Sequence, residues 1–118
     1  MAVTGVHLLF FSPEADALRE TLRDALGWSH VDAGGGWLIF ATPPAEIAVH
    51  PGETPGHEIS LMCDDLDATL SELRARGVRV RGEPETRRFG RAVTLMLPGE
   101  VEVLLYQPAH PSPIGAGQ

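Results

Sequence analysis

Four side chains able to bind a cation or move a proton stand in stretches that are otherwise apolar. They are His7 in VTGVHLLFF (3–11), Glu46 in EIAV (46–49), Glu58 in HEISLMC (57–63) and Glu102 in VEVLLY (101–106). One imidazole with carboxylates suits Mn²⁺, Mg²⁺ or Fe²⁺ better than a thiolate-loving ion. A carboxylate not bound to metal can serve as a general base. Strand parity assigns each of them a face. His7 falls with Gly5, Leu9 and Phe11, and Glu58 with Ser60 and Met62. Glu46 falls with Ala48 and His50, and Glu102 with Leu104 and Tyr106. The opposite faces of the His7 and Glu58 strands are the more uniformly apolar and are expected to meet helices, which leaves His7 and Glu58 facing a cleft. Plainer roles compete. A histidine on an apolar strand can be a hydrogen-bonded core residue, and Glu46 and Glu102 follow turns, where a solvated glutamate is common.

The elements that must position these residues read clearly. In GHEISLMCDDLDATLSELRARGV (56–78) a strand ends at Asp64–Asp65, one of which can cap a helix by accepting from its first N–H groups. Leu66, Leu70 and Leu73 give that helix an apolar face, and Gly77 ends it. Nearer the N-terminus, Ser12 is a natural N-cap with Pro13 at the first helical position. Ala15, Leu18, Leu22, Ala25 and Leu26 form the buried stripe, and Gly27 stops the helix. Strands are expected at 28–32, 37–41, 78–81, 92–97 and 101–106, with a linker at 51–56. The loop 82–90 carries Arg87 and Arg88, which with Arg91 are candidates for an anionic ligand or a solvated surface. Trp37, Phe40, Met62, Met96 and Tyr106 are core residues or an apolar pocket lining. His30 and His110 lie near loops and are expected to be exposed, and the tail 109–118 to be extended or disordered.

Composition bounds the function. The 118 residues suit one domain, and 43% hydrophobic with 21% charged residues is ordinary for a globular protein. A net charge of −7 argues against nucleic acid or an anionic membrane as partner, since both need a basic face. With no bilayer-spanning run and no leader, a cytoplasmic location is expected. The single cysteine, Cys63, excludes an internal disulfide and reads as a small core residue. There is no phosphate-binding glycine loop, nucleophile elbow or cysteine metal cluster.

The two halves repeat. Setting His7 against Glu58 sets Glu14 against Asp65 at the same offset of 51, with Gly27 and Gly77 matching within one residue. AEIAV (45–49) likewise resembles VEVLL (101–105), pairing Glu46 with Glu102. Each half reads strand, helix, three strands, over approximately 3–51 and 56–108. This doubled βαβββ module resembles the vicinal-oxygen-chelate superfamily, which includes glyoxalases, extradiol dioxygenases and bleomycin-resistance proteins. The motifs HLLFFSPEADALRETLRDALG, HEISLMCDDLDATLSELRARGV and LPGEVEVLLYQP carry the resemblance.

The resemblance implies an α+β fold of two tandem modules whose curved mixed sheet surrounds a shared cleft, in a homodimer. By position it assigns His7, Glu58 and Glu102 as ligands of a divalent metal (Mn, Fe, Ni or Zn), with Glu46 as catalytic base or fourth ligand. The implied activity is a metal-dependent reaction of glyoxalase or ring-cleaving dioxygenase type on a small oxygenated molecule. The family usually has histidine where Glu58 stands, and its last-strand glutamate slot falls on Leu104, two residues past Glu102. Those departures keep open a metal-free protein that binds or sequesters a small apolar or aromatic compound. A module with no ligand of its own is a third possibility.

Overall fold

The computed structural model describes residues 7–49, 51 and 53–114. The second half forms the expected unit. Strand β3 (Ser60–Met62) leads into helix α2 (Leu66–Ala75), followed by β4 (Arg79–Arg87), β5 (Gly90–Leu97) and β6 (Val101–Pro108). These strands form one sheet in the order β3-β6-β5-β4. β3 runs parallel to β6, and the other pairings are antiparallel. The parallel pair is possible because α2 supplies the crossover.

Local chemistry explains α2. Asp65 is its N-cap and accepts from the Ala68 N–H at 3.1 Å. Gln107 Oε1, on β6, accepts from the Leu66 N–H at 2.9 Å, so a second free donor is satisfied from the sheet. Gly77 takes φ +86° at the stop. Leu66, Leu70 and Leu73 pack with Val78, Val93, Leu95 and Leu105 in the main core.

The first half is only partly as expected. Its helix, α1 (Ala15–Glu20), continues through a π-helical stretch over Thr21–Ala25, where the Leu26 N–H reaches back to the Thr21 carbonyl. Leu18 and Leu22 pack on Leu97 and Val103, so this helix also lies against the four-stranded sheet. Its N-terminus departs from the expected cap. Glu14 holds the N-cap position with no side-chain cap bond, while the Ser12 hydroxyl donates to the Pro98 carbonyl at 2.8 Å. The Ser12 Oγ at the same time accepts from the Glu14 N–H at 3.0 Å, so Ser12 both serves the helix N-terminus and ties it to the turn 98–100.

β1 (His30–Asp32) and β2 (Leu38–Phe40) then form an antiparallel hairpin of their own. The outer strands expected at 3–11 and 46–49 are not formed among the described residues, and 3–6 lie outside them. A strand needs a neighbour for its backbone groups. Here 46–49 is bracketed by Pro43, Pro44 and Pro51, and its Ile47 and Val49 are exposed. The four-stranded sheet, the short hairpin and the two helices together make a mixed α+β fold.

The loop expected at 82–90 is largely strand. Gly82, at φ +70°, sits in a register shift between Arg81 and Glu85, a bulge that lets β4 continue to Arg87. At the far end of this hairpin, a Cβ on Gly90 would stand 2.2 Å from the Gln107 carbonyl oxygen. Only glycine fits there.

Candidate functional site

An open cleft of about 1390 Å³ is bounded by both halves of the chain. Segments 7–10, 37–46 and 56–62, with Leu105 and Tyr106, contribute to its lining. Much of the lining is apolar, with Trp28, Trp37, Phe40, Met62 and Tyr106 among its large side chains. The π-helical stretch matters here: its wider turn leads into the Trp28 N–H bond to the Leu22 carbonyl and sets that indole between cleft and core. Of the aromatic and methionine candidates only Met96 is absent from the lining, being buried in β5. On β3 the parity reading holds only in part, since His57, Ile59 and Leu61 of the opposite set also border the cleft. Leu61 and Cys63 pack toward the core, and Ser60 and Met62 are on the lining.

The polar candidates divide. His7, Glu46 and Glu58 are all on the lining, and so is His57. Glu102 is not. It shares a face with Tyr106 but stands four residues down β6, roughly 13 Å at a strand's rise per residue. There its carboxylate accepts from Arg81 at 2.7 Å, with both side chains at least half exposed. His50, grouped by parity with Glu46, lies outside the described residues.

Arg87, Arg88 and Arg91 belong to the β4–β5 hairpin and are absent from the lining. Arg87 faces Glu85 at 3.7 Å and Arg91 pairs with Asp67 at 2.8 Å. Cys63 donates its S–H toward the Tyr106 carbonyl, and burial pushes its thiol pKa up. A thiol so placed is a weak nucleophile.

The donor set bears on the expected metal. Among the described residues no group of three or more His, Cys, Asp or Glu side chains is arranged to hold a metal ion. Glu102 is committed to Arg81, and Glu46 has partners of its own. The Ser112 hydroxyl donates to Glu46 Oε1, and His110 Nε2 lies 3.8 Å from Oε2.

Those partners were missed in the sequence. His110 is half-buried rather than exposed, and the tail up to Ile114 is folded back. The Ala109 N–H donates to the Phe89 carbonyl at 2.8 Å, and the Tyr106 hydroxyl lies 3.0 Å from His110 Nε2. Phe89 meets the Tyr106 ring edge-on at 5.2 Å. Burial, and secondarily the Glu46 charge, raise the Tyr106 pKa above that of an ordinary phenol. The only sequence signal was the i, i+4 spacing of Tyr106 and His110, which carries no weight in a Pro-rich tail.

No family model matches the sequence, and no curated protein matches it. Solved structures do. TnmS3, an antibiotic binding protein from Streptomyces sp. CB03234, is 26% identical with a TM-score of 0.66, over 92% of this chain and 99% of that one. A member of the glyoxalase/bleomycin resistance protein/dioxygenase superfamily from Sphaerobacter thermophilus is 24% identical with a TM-score of 0.61, over 89% and 98%. A lactoylglutathione lyase from Agrobacterium tumefaciens shares the fold at 14% identity and a TM-score of 0.63, over 91% and 96%.

Proposed function

We propose that this chain, which has the fold of the vicinal-oxygen-chelate (glyoxalase/bleomycin resistance/dioxygenase) superfamily, is a small-molecule-binding protein that takes an aromatic compound into its cleft without a metal. The observation that carries this reading is the lining. Trp28, Trp37, Phe40, Met62 and Tyr106 border one continuous cleft, whereas the side chains expected to converge on a cation are divided between the cleft and a surface ion pair. Apolar walls with few polar groups are what ligand sites are made of. The likeness to an antibiotic-binding protein supports the reading.

The reading includes a homodimer. Phe11, Ile47 and Val49 are 85%, 82% and 94% exposed, on the segments that lack strand neighbours. A second copy would cover them. Sedimentation of the purified chain tests this, with a dimer expected at micromolar concentration and dissociation in Ile47→Lys.

The binding reading is tested by equilibrium dialysis against 2-methoxynaphthalene, a compact aromatic probe, with elemental analysis of the same untagged protein. Saturable retention is expected, lost in Met62→Arg, which puts a charge into the cleft. Absence of saturable retention overturns the reading. Near-stoichiometric metal that is lost in His7→Ala would put the metal-dependent enzyme ahead of it.

A further inference from the structure

The hydrogen-bond inventory around Glu46 and Tyr106 says what their oxygens can still do. His110 Nδ1 lies 2.8 Å from the Pro111 carbonyl, which can only accept, so this nitrogen carries a proton. In the neutral ring Nε2 is then an acceptor, and the Tyr106 hydroxyl, 3.0 Å away, donates to it. The phenol has spent its only proton, and its oxygen retains acceptor capacity. Glu46 is alike. As a carboxylate it only accepts, and Oε1 already takes the Ser112 proton. Ser112 in turn accepts from the Ile114 N–H at 3.1 Å, which fixes its orientation. Both residues are on the cleft lining, whereas His110 and Ser112 are not.

We propose that Glu46 and Tyr106 form the polar anchor of the cleft, two acceptor oxygens that recognise a hydrogen-bond donor on the ligand, a phenolic hydroxyl above all. His110 and Ser112, from the C-terminal segment, are positioning residues. His110 holds the tyrosine proton away from the ligand, and Ser112 holds the carboxylate in place. The specificity follows from what is left unpaired. A ligand with a donor satisfies the acceptors, and one without a donor strips water from a carboxylate and returns nothing. An aryl carboxylate would in addition meet the Glu46 charge. The inference rests on the aromatic-binding reading above and sharpens it to a chemical class.

The test compares dissociation constants for 2-naphthol and 2-methoxynaphthalene, equal in ring system and different in the donor. The intact protein is expected to prefer 2-naphthol by about 10-fold, the worth of one good hydrogen bond in a part-buried site. Tyr106→Phe and Glu46→Gln should each cut that preference, read as the ratio of the two dissociation constants, by about threefold or more. His110→Ala should do the same, and His110→Gln, which can still accept from the tyrosine, should restore most of it. A purely structural role would weaken both probes together.

Three results overturn the proposal. Equal affinity for the two probes removes the donor recognition and leaves the aromatic-binding reading standing. A preference untouched in Tyr106→Phe and Glu46→Gln puts the anchor elsewhere in the cleft. Failure of the intact protein to bind either probe takes down both readings.

Discussion

The Arg76 guanidinium donates to the Ala25 carbonyl at 2.9 Å, joining the C-terminal ends of the two helices. The residues are 51 positions apart, the offset that sets His7 on Glu58 and Glu14 on Asp65. A second bond to Glu72 at 2.9 Å, one turn back on α2, aims the side chain. Each half contributes a helix to the same face of the sheet, and this contact links their ends over the core.

Arg76→Ala should therefore destabilise the fold by about 1–2 kcal/mol, more than a surface ion pair alone, because a helix-terminal carbonyl loses its donor. Urea unfolding checks this, with a lower midpoint and an unchanged slope. Arg76→Lys should recover only part of the loss, since one ammonium cannot reproduce the planar fork that serves both partners.

Tyr106 is the single tyrosine of the chain, so the ultraviolet absorbance of its phenolate reports this residue alone. Burial first, and Glu46 second, raise its pKa. The titration midpoint should lie above the ordinary value of about 10, and Glu46→Gln should lower it without returning it fully. The folded state favours the neutral phenol. Its contribution to stability is thus complete below about pH 10 and is lost as pH rises through the folded-state value.

Cys63 should resist alkylation. Burial raises its pKa, and a hydrogen bond involving Thr69 offsets this only in part. At pH 8 the folded protein should react with iodoacetamide at least roughly tenfold more slowly than the urea-unfolded chain, because the thiolate fraction is lower and access is restricted. Equal rates would mean that the β3–α2 junction opens readily.

Glu102→Gln should have little effect. Its partner Arg81 and the carboxylate are both at least half exposed, and such pairs are worth about 0–1 kcal/mol. Binding of 2-methoxynaphthalene should be unchanged, while a loss of bound metal or ligand would return Glu102 to the site.

The sequence by itself determined what local chemistry determines. Asp65 as cap, the Leu66, Leu70 and Leu73 stripe, Gly77 at the stop and the order of the second βαβββ unit all follow from spacing, capping and turn residues. Parity along β3 held for the core contacts of Leu61 and Cys63, but His57, Ile59 and Leu61 also border the cleft. Tertiary structure decided the rest. Ser12 reads as a cap and its Oγ does accept from the Glu14 N–H, but only the fold shows that its proton goes to the Pro98 carbonyl, 86 positions away. Segments 7–11 and 46–49 have strand composition, yet a strand exists only where a neighbour takes its backbone groups. Glu102 and Glu46 look equivalent in the repeat. One meets Arg81 across the sheet and the other meets Ser112 and His110 from the folded-back tail, contacts that no periodicity encodes. Side-chain chemistry is written in the chain, and the partners that direct it are chosen by the fold.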